Sequence, residues 1–366
     1  MAAPTVVIFG GAGFIARAFL RQFAQRFARI VVVDRFSGPS HPRPDSYERF
    51  QAEFAGTQVQ TVIADAANAD ALGSILREAH AVLLLNADTG TAQSGLMPQT
   101  CVQENVTALV CIAQAIRRHC TPEQVRVVFT SSRAVYGEGR WLCSEHGMVS
   151  IDRSSTALAQ GRFLPQCPAC QRALTLGATP ESAARAPLSV YGATKSAGED
   201  LLRTLLTQNG YDLRIVRYQN VYGPGQEPNN PYTGVLNWFS RALLREQDVQ
   251  IYEGGHIRRD FIYVDDAARL LWRLTELAGQ SGAGPLVLNG GAGVAVSLTE
   301  VASTLKDLFA ARGQISITDK FRVGDVLGAC ADMSRAEALL GFSCETSLVQ
   351  GLRRYSDWFR HQTLTD

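Results

Sequence analysis

Short apolar runs alternate with longer amphipathic stretches through the first part of the chain. Five runs are rich in aliphatic residues and are each followed by a glycine or a polar residue: Thr5–Phe9, Arg29–Val33, Val59–Ala64, Ala81–Leu85 and Val125–Phe129. The stretches between them, such as 101–118, carry apolar residues at helical spacing. Strands that alternate with helices predict an α/β fold with a doubly wound parallel sheet, whose ligands bind at the carboxyl ends of the strands.

A glycine-rich turn joins the first predicted strand to a helical stretch. Its sequence, Gly10-Gly-Ala-Gly13-Phe-Ile-Ala16, follows Phe9 directly. Glycines let a backbone approach a pyrophosphate closely, and a helix N-terminus favours its negative charge. Asp34 ends the second strand about twenty residues further on, where a carboxylate accepts hydrogen bonds from the adenosine ribose. The pattern predicts an NAD site, and the adjacent Arg35 leaves NADP as the alternative.

A tyrosine and a lysine stand one helical turn apart in Ser189-Val-Tyr-Gly-Ala-Thr-Lys195. Residues i and i+4 share a helix face, so Tyr191 and Lys195 are expected to lie side by side. An ammonium beside a phenol favours the phenolate and is expected to lower the pKa of Tyr191. Tyr191 is therefore a candidate general base for an alcohol, and a solvated pair without chemistry is the alternative.

The composition restricts the classes of function. The chain has 366 residues, of which 46% are hydrophobic, and 35 basic residues nearly balance 34 acidic ones. This length allows one large domain with a smaller lobe, and the lack of a basic run argues against binding to nucleic acid or an anionic membrane. The N-terminus has no cationic segment ahead of an apolar one, and no apolar run has spanning length, so a cytoplasmic protein is expected.

Motifs along nearly the whole chain resemble those of the extended short-chain dehydrogenase/reductases, in the nucleotide-sugar epimerase/dehydratase group. Besides the glycine turn, Asp34 and YGATK at 191–195, they are TSSRAVYG at 130–137, RYQNVYGPGQ at 217–226, RRDFIYVDD at 258–266, LNGGAG at 288–293 and RVGD at 322–325. The resemblance implies a Rossmann domain over 1–190 with an insert at about 138–187, followed by its catalytic helix and next strand over 191–218. It also implies a lobe over 219–366 that binds the nucleotide sugar and returns some segments to the Rossmann sheet.

The resemblance implies roles for individual residues. Tyr191 is expected to be the catalytic base, Lys195 to hold the nicotinamide ribose and Ser132 to contact the reacting hydroxyl. The implied NAD-binding set comprises Gly10, Gly13, Phe14, Ile15, Asp34, Arg35, Asp65, Ala66, Asn86, Ala87, Asn105, Ser131, Tyr191, Lys195 and Tyr218. The implied nucleotide-sugar set comprises Ser132, Arg133, Asn220, Ile251, Tyr252, Arg259, Arg322 and Asp325. Asp260 is expected either to orient one of these arginines or to form an internal salt bridge.

Arg133 and Ala134 stand where the similar 4,6-dehydratases carry an Asp-Glu pair. Neither residue exchanges protons at neutral pH, so dehydration is disfavoured. The resemblance then implies a 4-epimerase, in which Tyr191 takes the proton of the sugar 4-OH, hydride passes to NAD, and hydride returns to the opposite face of the 4-keto sugar. An NDP-4-keto-6-deoxysugar reductase, a dehydratase and a non-catalytic dinucleotide-binding scaffold are the alternatives.

Further segments resemble one branch of this group, the one that contains dTDP-L-rhamnose 4-epimerase. They are DTGTAQS at 88–94, YGEGRWLC at 136–143, the CPAC segment at 167–170 and NPYTGVLNWFSRALL at 230–244. The resemblance implies dTDP-L-rhamnose and dTDP-6-deoxy-L-talose as substrate and product, for a surface polysaccharide. Another NDP-hexose or an NDP-uronic acid is the alternative. It also implies a homodimer that pairs 101–118 and the helix after Tyr191 from each subunit in a four-helix bundle.

The insert contains Cys143-x-x-His146 and Cys167-Pro-Ala-Cys170. Two ligand doublets at this spacing predict a closed structural zinc site, and an ordinary turn beside a surface histidine is the alternative. The chain has eight cysteines dispersed along its length, a distribution that argues against a disulfide framework.

Overall fold

The computed structural model describes residues 4–38, 41–230, 234–279 and 284–364. Residues 1–3 of the N-terminal sequence and residues 231–233 of the segment at 230–244 lie outside the described residues. The strands are β1 (Thr5–Phe9), β2 (Arg29–Asp34), β3 (Val59–Ile63), β4 (Ala81–Leu84), β5 (Arg126–Ser132), β6 (Trp141–Cys143), β7 (Gly147–Val149), β8 (Thr175–Leu176), β9 (Asp212–Tyr218), β10 (Asn220–Tyr222), β11 (Val249–Ile251), β12 (Arg258–Tyr263), β13 (Leu286–Gly290), β14 (Ala295–Ser297) and β15 (Ile315–Ile317). The α-helices are α1 (Phe14–Phe23), α2 (Ser46–Glu53), α3 (Gly73–Leu76), α4 (Thr91–Leu96), α5 (Pro98–Val102), α6 (Ala108–His119), α7 (Ser155–Ala159), α8 (Val190–Leu205), α9 (Val235–Leu244), α10 (Val264–Glu276), α11 (Leu298–Phe309), α12 (Ser334–Leu340) and α13 (Leu348–Phe359).

The largest sheet has seven strands in the order β13-β9-β5-β4-β1-β2-β3. Every neighbouring pair in it is parallel. The order reverses at β1, because β2 and β3 extend to one side and β4, β5 and β9 to the other. This confirms the predicted doubly wound α/β fold. All five predicted strands lie in the sheet, and β5 runs on as far as Ser132.

Alternate side chains of the buried strands pack on opposite faces of this sheet, as the two-residue period of a strand requires. Val6 and Ile8 of β1 lie in one core cluster with Phe19 of α1. Val7 and Phe9 lie in the other, which contains the apolar face of α6. The strands read as continuous apolar runs because helices cover both faces.

The helix predicted over 101–118 is confirmed, and it contains a π-helical turn. It consists of α5, a π-helical turn over Gln103–Thr107, and α6. Such a turn adds a residue to the helical repeat and rotates the side chains that follow it. Asn105 lies within the turn, and its side chain is buried.

Most of the chain after β9 forms a second lobe beside the sheet. It contains the mixed sheet β10-β12-β14 and the parallel pair β11 and β15, which share a core with α9, α11 and α13. β13 is an exception, since it returns to the edge of the large sheet beside β9. The domain boundaries given above stay a prediction.

The insert between Gly137 and α8 contains a small antiparallel sheet, in the order β7-β6-β8. Trp141, Cys143, Cys167 and Leu174 of the insert belong to the core cluster of the second lobe. The insert is therefore packed against the lobe. Among the described residues, no helix combines the length and the hydropathy that crossing a bilayer requires.

Candidate active site

The glycine turn packs tightly against the neighbouring strand end. Gly10 has a φ of 72°, which is in the left-handed region that favours glycine. A Cβ at Gly10 would lie 2.5 Å from the backbone nitrogen of Asn86, just beyond β4. α1 begins at Phe14, and Gly13 before it offers no side-chain acceptor to the first N–H groups of the helix. These free donors fit the pyrophosphate of a dinucleotide.

Asp34 is buried at the end of β2 and holds the turn in place. One carboxylate oxygen accepts the N–H of Ala12 at 3.1 Å, and the other accepts the N–H of Phe36 at 3.0 Å. His41 Nε2 lies 3.4 Å from the latter oxygen. Burial by itself would raise the pKa of Asp34, but these hydrogen bonds lower it below its usual 3.8. The carboxylate stays ionised and keeps lone pairs for the hydroxyls of an adenosine ribose.

Arg35 is engaged by acidic side chains. Its Nη1 lies 2.9 Å from Glu104 Oε1 and 3.4 Å from Asp65 Oδ2. Two carboxylates therefore surround the one cation that could neutralise the 2′-phosphate of NADP. The arrangement favours NAD over the NADP alternative.

The other residues of the implied NAD set differ in their surroundings. Asp65 caps the turn that includes Ala66, since its Oδ1 accepts the N–H of Ala67 at 2.8 Å. The buried Oδ1 of Asn86 has no hydrogen-bond partner and is left for a ligand. Asn105 is a bridge within the protein: its amide nitrogen donates to Asp88 O at 3.0 Å and to Thr194 Oγ1 at 3.1 Å.

A cavity of about 450 Å³ lies where the carboxyl ends of the central strands meet the second lobe. Its lining includes residues from both implied sets, brought together from distant parts of the chain. Those residues are Ile15, Ala87, Ser131, Ser132, Arg133, Tyr191, Lys195, Tyr218, Asn220, Ile251, Tyr252, Arg259, Arg322 and Asp325. The remaining members do not line this cavity: Gly10, Gly13, Phe14, Asp34, Arg35, Asp65, Ala66, Asn86 and Asn105.

The start of α8 places the candidate base in this cavity. Ser189 caps the helix by accepting the N–H of Gly192 at 3.1 Å, and Ser94 Oγ accepts the N–H of Tyr191 at the same distance. Tyr191 and Ser132 both line the cavity, and the Ser132 hydroxyl is close enough to the phenol to lower its pKa. Lys195 Nζ donates to the carbonyl oxygen of Thr130 at 2.9 Å.

The expected effect of Lys195 on Tyr191 is wrong for the protein by itself. Burial raises the pKa of Tyr191 above its usual 10, and the groups that oppose this rise are the Ser132 hydroxyl and the positive charge of Arg133. Lys195 is also buried, which lowers its own pKa to about 8. Its ammonium group donates to the Thr130 carbonyl, and the charge of Arg133 favours the phenolate.

A buried ion-pair network lies behind the candidate catalytic residues and is centred on Glu199. Ser131 Oγ donates to Glu199 Oε1 at 2.5 Å, and Arg217 binds both oxygens of Glu199 at 2.9 and 2.6 Å. Arg217 also donates to the hydroxyl of Tyr136 at 2.9 Å. The Ser131 hydroxyl is thus used within the protein. Because every member is paired, the network can hold β5, α8 and β9 rigidly around Tyr191.

Three arginines, Arg133, Arg259 and Arg322, line the cavity. Arg259 is buried and donates to the carbonyl oxygens of Arg258 and Leu327 at 2.9 and 3.2 Å. The guanidinium of Arg322 lies 5.3 Å from the ring centre of Tyr252. Burial and the nearby charge of Arg259 lower the pKa of Arg133 to about 10, so it remains a cation at neutral pH. Guanidinium groups held in this way suit phosphate oxygens or a carboxylate.

Asp260 neither orients an arginine nor forms a salt bridge, contrary to both expectations. Its carboxylate accepts the backbone N–H groups of Ala292, Gly293 and Ala331 at 2.7, 3.1 and 3.0 Å. Burial raises its pKa to about 6. The residue therefore secures the loop after β13 to β12.

Several residues of the cavity were not predicted from the sequence, among them Thr89, Gln219, Gln226, Trp238 and Gln250. The side-chain oxygens of Gln219 and Gln226 are buried without a hydrogen-bond partner, as is Oδ1 of Asn220. Leaving such groups unpaired costs free energy, which a polar ligand would recover. Both glutamines lie within RYQNVYGPGQ at 217–226, a segment in which the sequence assigned a role only to Tyr218 and Asn220.

Comparison with known proteins now identifies the family. The family model described as NAD dependent epimerase/dehydratase family matches residues 6–284. The chain belongs to this family. A curated relative is the dTDP-L-rhamnose 4-epimerase of Burkholderia thailandensis, which is 32% identical over 98% of this chain and 95% of its own length. Another is UDP-glucuronate 4-epimerase 3 of Arabidopsis thaliana, 26% identical over 97% of this chain and 76% of its own length.

A solved structure agrees with these relatives. The UDP-glucuronic acid 4-epimerase of Bacillus cereus, in complex with UDP-glucuronic acid and NAD, superposes with a TM-score of 0.77 at 25% identity and covers 97% of this chain and 99% of its own. The family resemblance seen in the sequence is confirmed. The comparisons also bear out the predicted enzyme class, an NAD-dependent nucleotide-sugar 4-epimerase, and the roles of the individual residues stay a prediction.

Proposed function

We propose that this protein is an NAD-dependent nucleotide-sugar 4-epimerase in which Ser132, Tyr191 and Lys195 are catalytic. The observation that supports this most directly is that Ser132, Tyr191 and Lys195 line the same cavity as Arg133, Arg259 and Arg322. One end of the cavity can move a proton on an alcohol, and the other can bind a diphosphate. A nucleotide sugar has both groups at opposite ends of one molecule.

NAD, when bound, accepts the hydride of C4 and later returns it. The residues of the chain supply position and the proton path. Tyr191 Oη takes the proton of the sugar 4-OH, and Ser132 keeps that hydroxyl in line by hydrogen bonding to it. The same tyrosine gives the proton back when the carbonyl is reduced from its other face. Lys195, fixed by the Thr130 carbonyl at 2.9 Å, has further N–H donors for a ribose.

The residues at the reacting end favour epimerisation over dehydration. Arg133 lines the cavity beside Ser132, together with Ala134. An arginine does not give up its proton, and alanine has none to exchange. Elimination of a hydroxyl needs an acid and a base besides Tyr191, and Asp325, in the segment that carries Arg322, is the only carboxylate among the described residues that line the cavity. A reductase would use the same three catalytic residues and differs only in consuming cofactor.

The second half of the proposal concerns the substrate. Arg259 and Arg322 are proposed to bind the diphosphate, and Asn220, whose amide oxygen has no partner, to contact the same region. Ile251 and Tyr252 would lie along the base. The 32% identity with a dTDP-L-rhamnose 4-epimerase supports dTDP-L-rhamnose and its C4 epimer as the substrate pair.

A second substrate class is favoured by Arg133. Its cationic side chain acts on Tyr191, so it lies near the reacting carbon. A sugar with a carboxylate at C6 would pair with this charge, whereas a 6-deoxysugar would leave it facing a methyl group. An NDP-uronic acid is therefore the alternative, and the UDP-glucuronate 4-epimerase relative is consistent with it.

The test is to incubate the purified protein with dTDP-L-rhamnose, UDP-glucuronic acid, UDP-glucose and their GDP counterparts without added cofactor, and to read the C4 configuration by NMR. Conversion of one pair to an equilibrium mixture, with NAD retained by the protein, is expected. In a parallel assay with an NDP-4-keto-6-deoxysugar and added NAD(P)H, stoichiometric consumption of the reduced cofactor without activity on the panel would show a reductase. Loss of the C6 hydroxyl of UDP-glucose would show a dehydratase. Either result would overturn the proposal.

We also propose a homodimer built on α6 and α8. The two helices pack side by side against the sheet, and Leu96, Met97 and Val102 next to them are 72%, 50% and 44% exposed. Light scattering is expected to give twice the chain mass. The substitution Met97→Asp is expected to reduce the measured mass. A monomer at micromolar concentration would contradict the proposal. The cytoplasmic location stays a prediction from the sequence.

A further inference from the structure

The two ligand doublets of the insert come together in the fold. Cys143 ends β6, and the turn that carries His146 leads into β7, where Gly147 pairs with Cys143 across the strands. Cys167 begins a second turn that is closed by two hydrogen bonds, from Gln171 N to Cys167 O and from Cys167 N to Arg172 O, both at 2.8 Å. The four potential ligand atoms all lie within 4.8 Å of one another.

The separations match the edges of a metal tetrahedron. Cys143 Sγ lies 3.6 Å from His146 Nδ1 and 3.6 Å from Cys170 Sγ, and Cys167 Sγ lies 3.6 Å from the same His146 nitrogen. Zinc at about 2.3 Å from sulfur and about 2.0 Å from nitrogen places tetrahedral ligands about 3.5 to 3.8 Å apart. A disulfide would need about 2.05 Å between sulfurs, and all eight cysteines are free thiols.

The position of the cluster indicates a structural site. Cys143 and Cys167 are 1% and 0% exposed, within the core that the insert shares with the second lobe. His146 is exposed and Cys170 is half-buried, so the four side chains close the site between the core and solvent. Four protein ligands leave no open position for a substrate, and none of the four lines the candidate active-site cavity.

We propose that Cys143, His146, Cys167 and Cys170 bind a structural zinc ion. The ion holds the two turns together. Apart from the four ligands, the contact described between these turns is the surface ion pair of Glu145 and Arg172. The ion therefore sets the shape of the insert where it packs on the second lobe.

The insert in turn supports the nucleotide-sugar side of the cavity. Arg153 binds Glu138 at 2.6 Å and also binds Glu253, and it donates to the carbonyl oxygen of Asp325 at 2.7 Å. Glu138 accepts the N–H of Leu327 at 2.8 Å. Asp325 and Arg322 belong to the same short segment of the chain, and both line the cavity. A disordered insert would thus loosen the segment that carries Arg322.

The full chain, purified without chelator from zinc-supplemented medium, is the protein to test. Mass spectrometric metal analysis is expected to find about one zinc per chain. Cys143→Ser, Cys170→Ser and His146→Ala should each lower the zinc content at least severalfold, whereas the matched control Cys111→Ser on α6 should retain it. His146→Cys keeps four ligands and should bind zinc again, which separates loss of a ligand from a failure to fold.

Cobalt provides a second readout. Replacement of zinc by Co²⁺ should give the visible bands of tetrahedral cobalt with sulfur-to-cobalt charge transfer, and His146→Cys should shift the charge-transfer intensity. Absence of metal from the fresh protein, with Cys143, Cys167 and Cys170 as three reactive thiols or with a Cys143–Cys170 disulfide, would overturn the proposal. So would full zinc content in Cys143→Ser.

The kinetic consequence rests on the proposed function, but the metal readout does not. Removal of zinc is expected to raise the KM for the nucleotide sugar while the protein retains its NAD. Zinc that is present and can be removed without any change in KM would limit the role of the site to stability. Absence of epimerase activity in the zinc-loaded protein would count against the proposed function alone.

Discussion

The cofactor half and the substrate half of the candidate site are built in different ways. The cofactor half comes from one segment of the chain, from β1 to the end of β2. This segment contains the turn at Gly10, the start of α1 and the carboxylate of Asp34, which hydrogen bonds hold in place. In the substrate half, Arg133, Asn220, Arg259 and Arg322 come from four distant segments, and several polar atoms have no partner. The first half is held mainly by contacts within one short part of the chain, whereas the second is proposed to depend on the insert and on the ligand.

This difference indicates which half of the site distinguishes one substrate from another. A pyrophosphate and a ribose are the same in every NAD enzyme, so a local turn and one acid suffice. A sugar must be distinguished from its relatives by groups that surround it, and only tertiary structure can place such groups. Each of the following changes should affect one half, or the tyrosine between them, and leave the other half intact.

Tyr191→Phe should have the largest effect on turnover. Loss of the phenol removes the proton acceptor, so kcat is expected to fall by a factor of about 10² to 10⁴, while the purified protein keeps its NAD and its KM. Tyr211→Phe is the matched control, because that hydroxyl donates to the Cys120 carbonyl outside the cavity. A kcat within threefold of the unaltered protein would contradict the assignment of Tyr191.

Arg153→Leu should have the largest effect on stability. The change leaves the carboxylates of Glu138 and Glu253 buried, with side chains 4% and 1% exposed, and without their cation. The free energy of unfolding is expected to fall by about 3–5 kcal/mol, and the KM for the sugar to rise, with NAD retained. Denaturant titration measures the first and steady-state kinetics the second. Arg49→Leu, at an exposed ion pair with Asp45, should change neither.

Gly10→Ala should affect the cofactor half. A left-handed conformation costs alanine about 1–2 kcal/mol, and the new Cβ would approach the Asn86 nitrogen to 2.5 Å. The NAD affinity is expected to fall by a factor of about ten or more, as measured by the NAD content after dialysis. Gly279→Ala, which has no such close contact, is the control. Undiminished NAD content would show that the turn tolerates a side chain and does not hold the cofactor.

Arg133→Gln should have the smallest effect, which is a change in the pH dependence of kcat/KM. The Arg133 charge lowers the pKa of Tyr191, so its loss should move the alkaline rise of kcat/KM to higher pH, by about one unit or less. The sign follows because a cation stabilises the phenolate. If the substrate is an NDP-uronic acid, the KM should also rise strongly. An unchanged pH profile would mean that Arg133 does not act on the base.

Much of the fold could be predicted because the sequence patterns that indicate it lie within single strands, turns and helices. The strands of the large sheet are continuous apolar runs, and the turn at Gly10–Gly13 and the YGATK segment have characteristic spacings. The π-helical turn at Gln103–Thr107 was not predicted, since it leaves the apolar pattern on either side intact. The role of Asp260 was also missed, because its partners are backbone N–H groups that no residue type reveals.

The sequence by itself determined the fold class, the family and the identity of the candidate base, because these depend on spacing within one strand, turn or helix. Only the tertiary structure decided what surrounds that base. Burial raises the pKa of Tyr191, and the charge of Arg133 opposes the rise. The Cys143, His146, Cys167 and Cys170 atoms meet only once two turns fold against a common core. Charge and ligand geometry depend on distances through space, and residues far apart in the chain acquire such distances only when the whole domain packs.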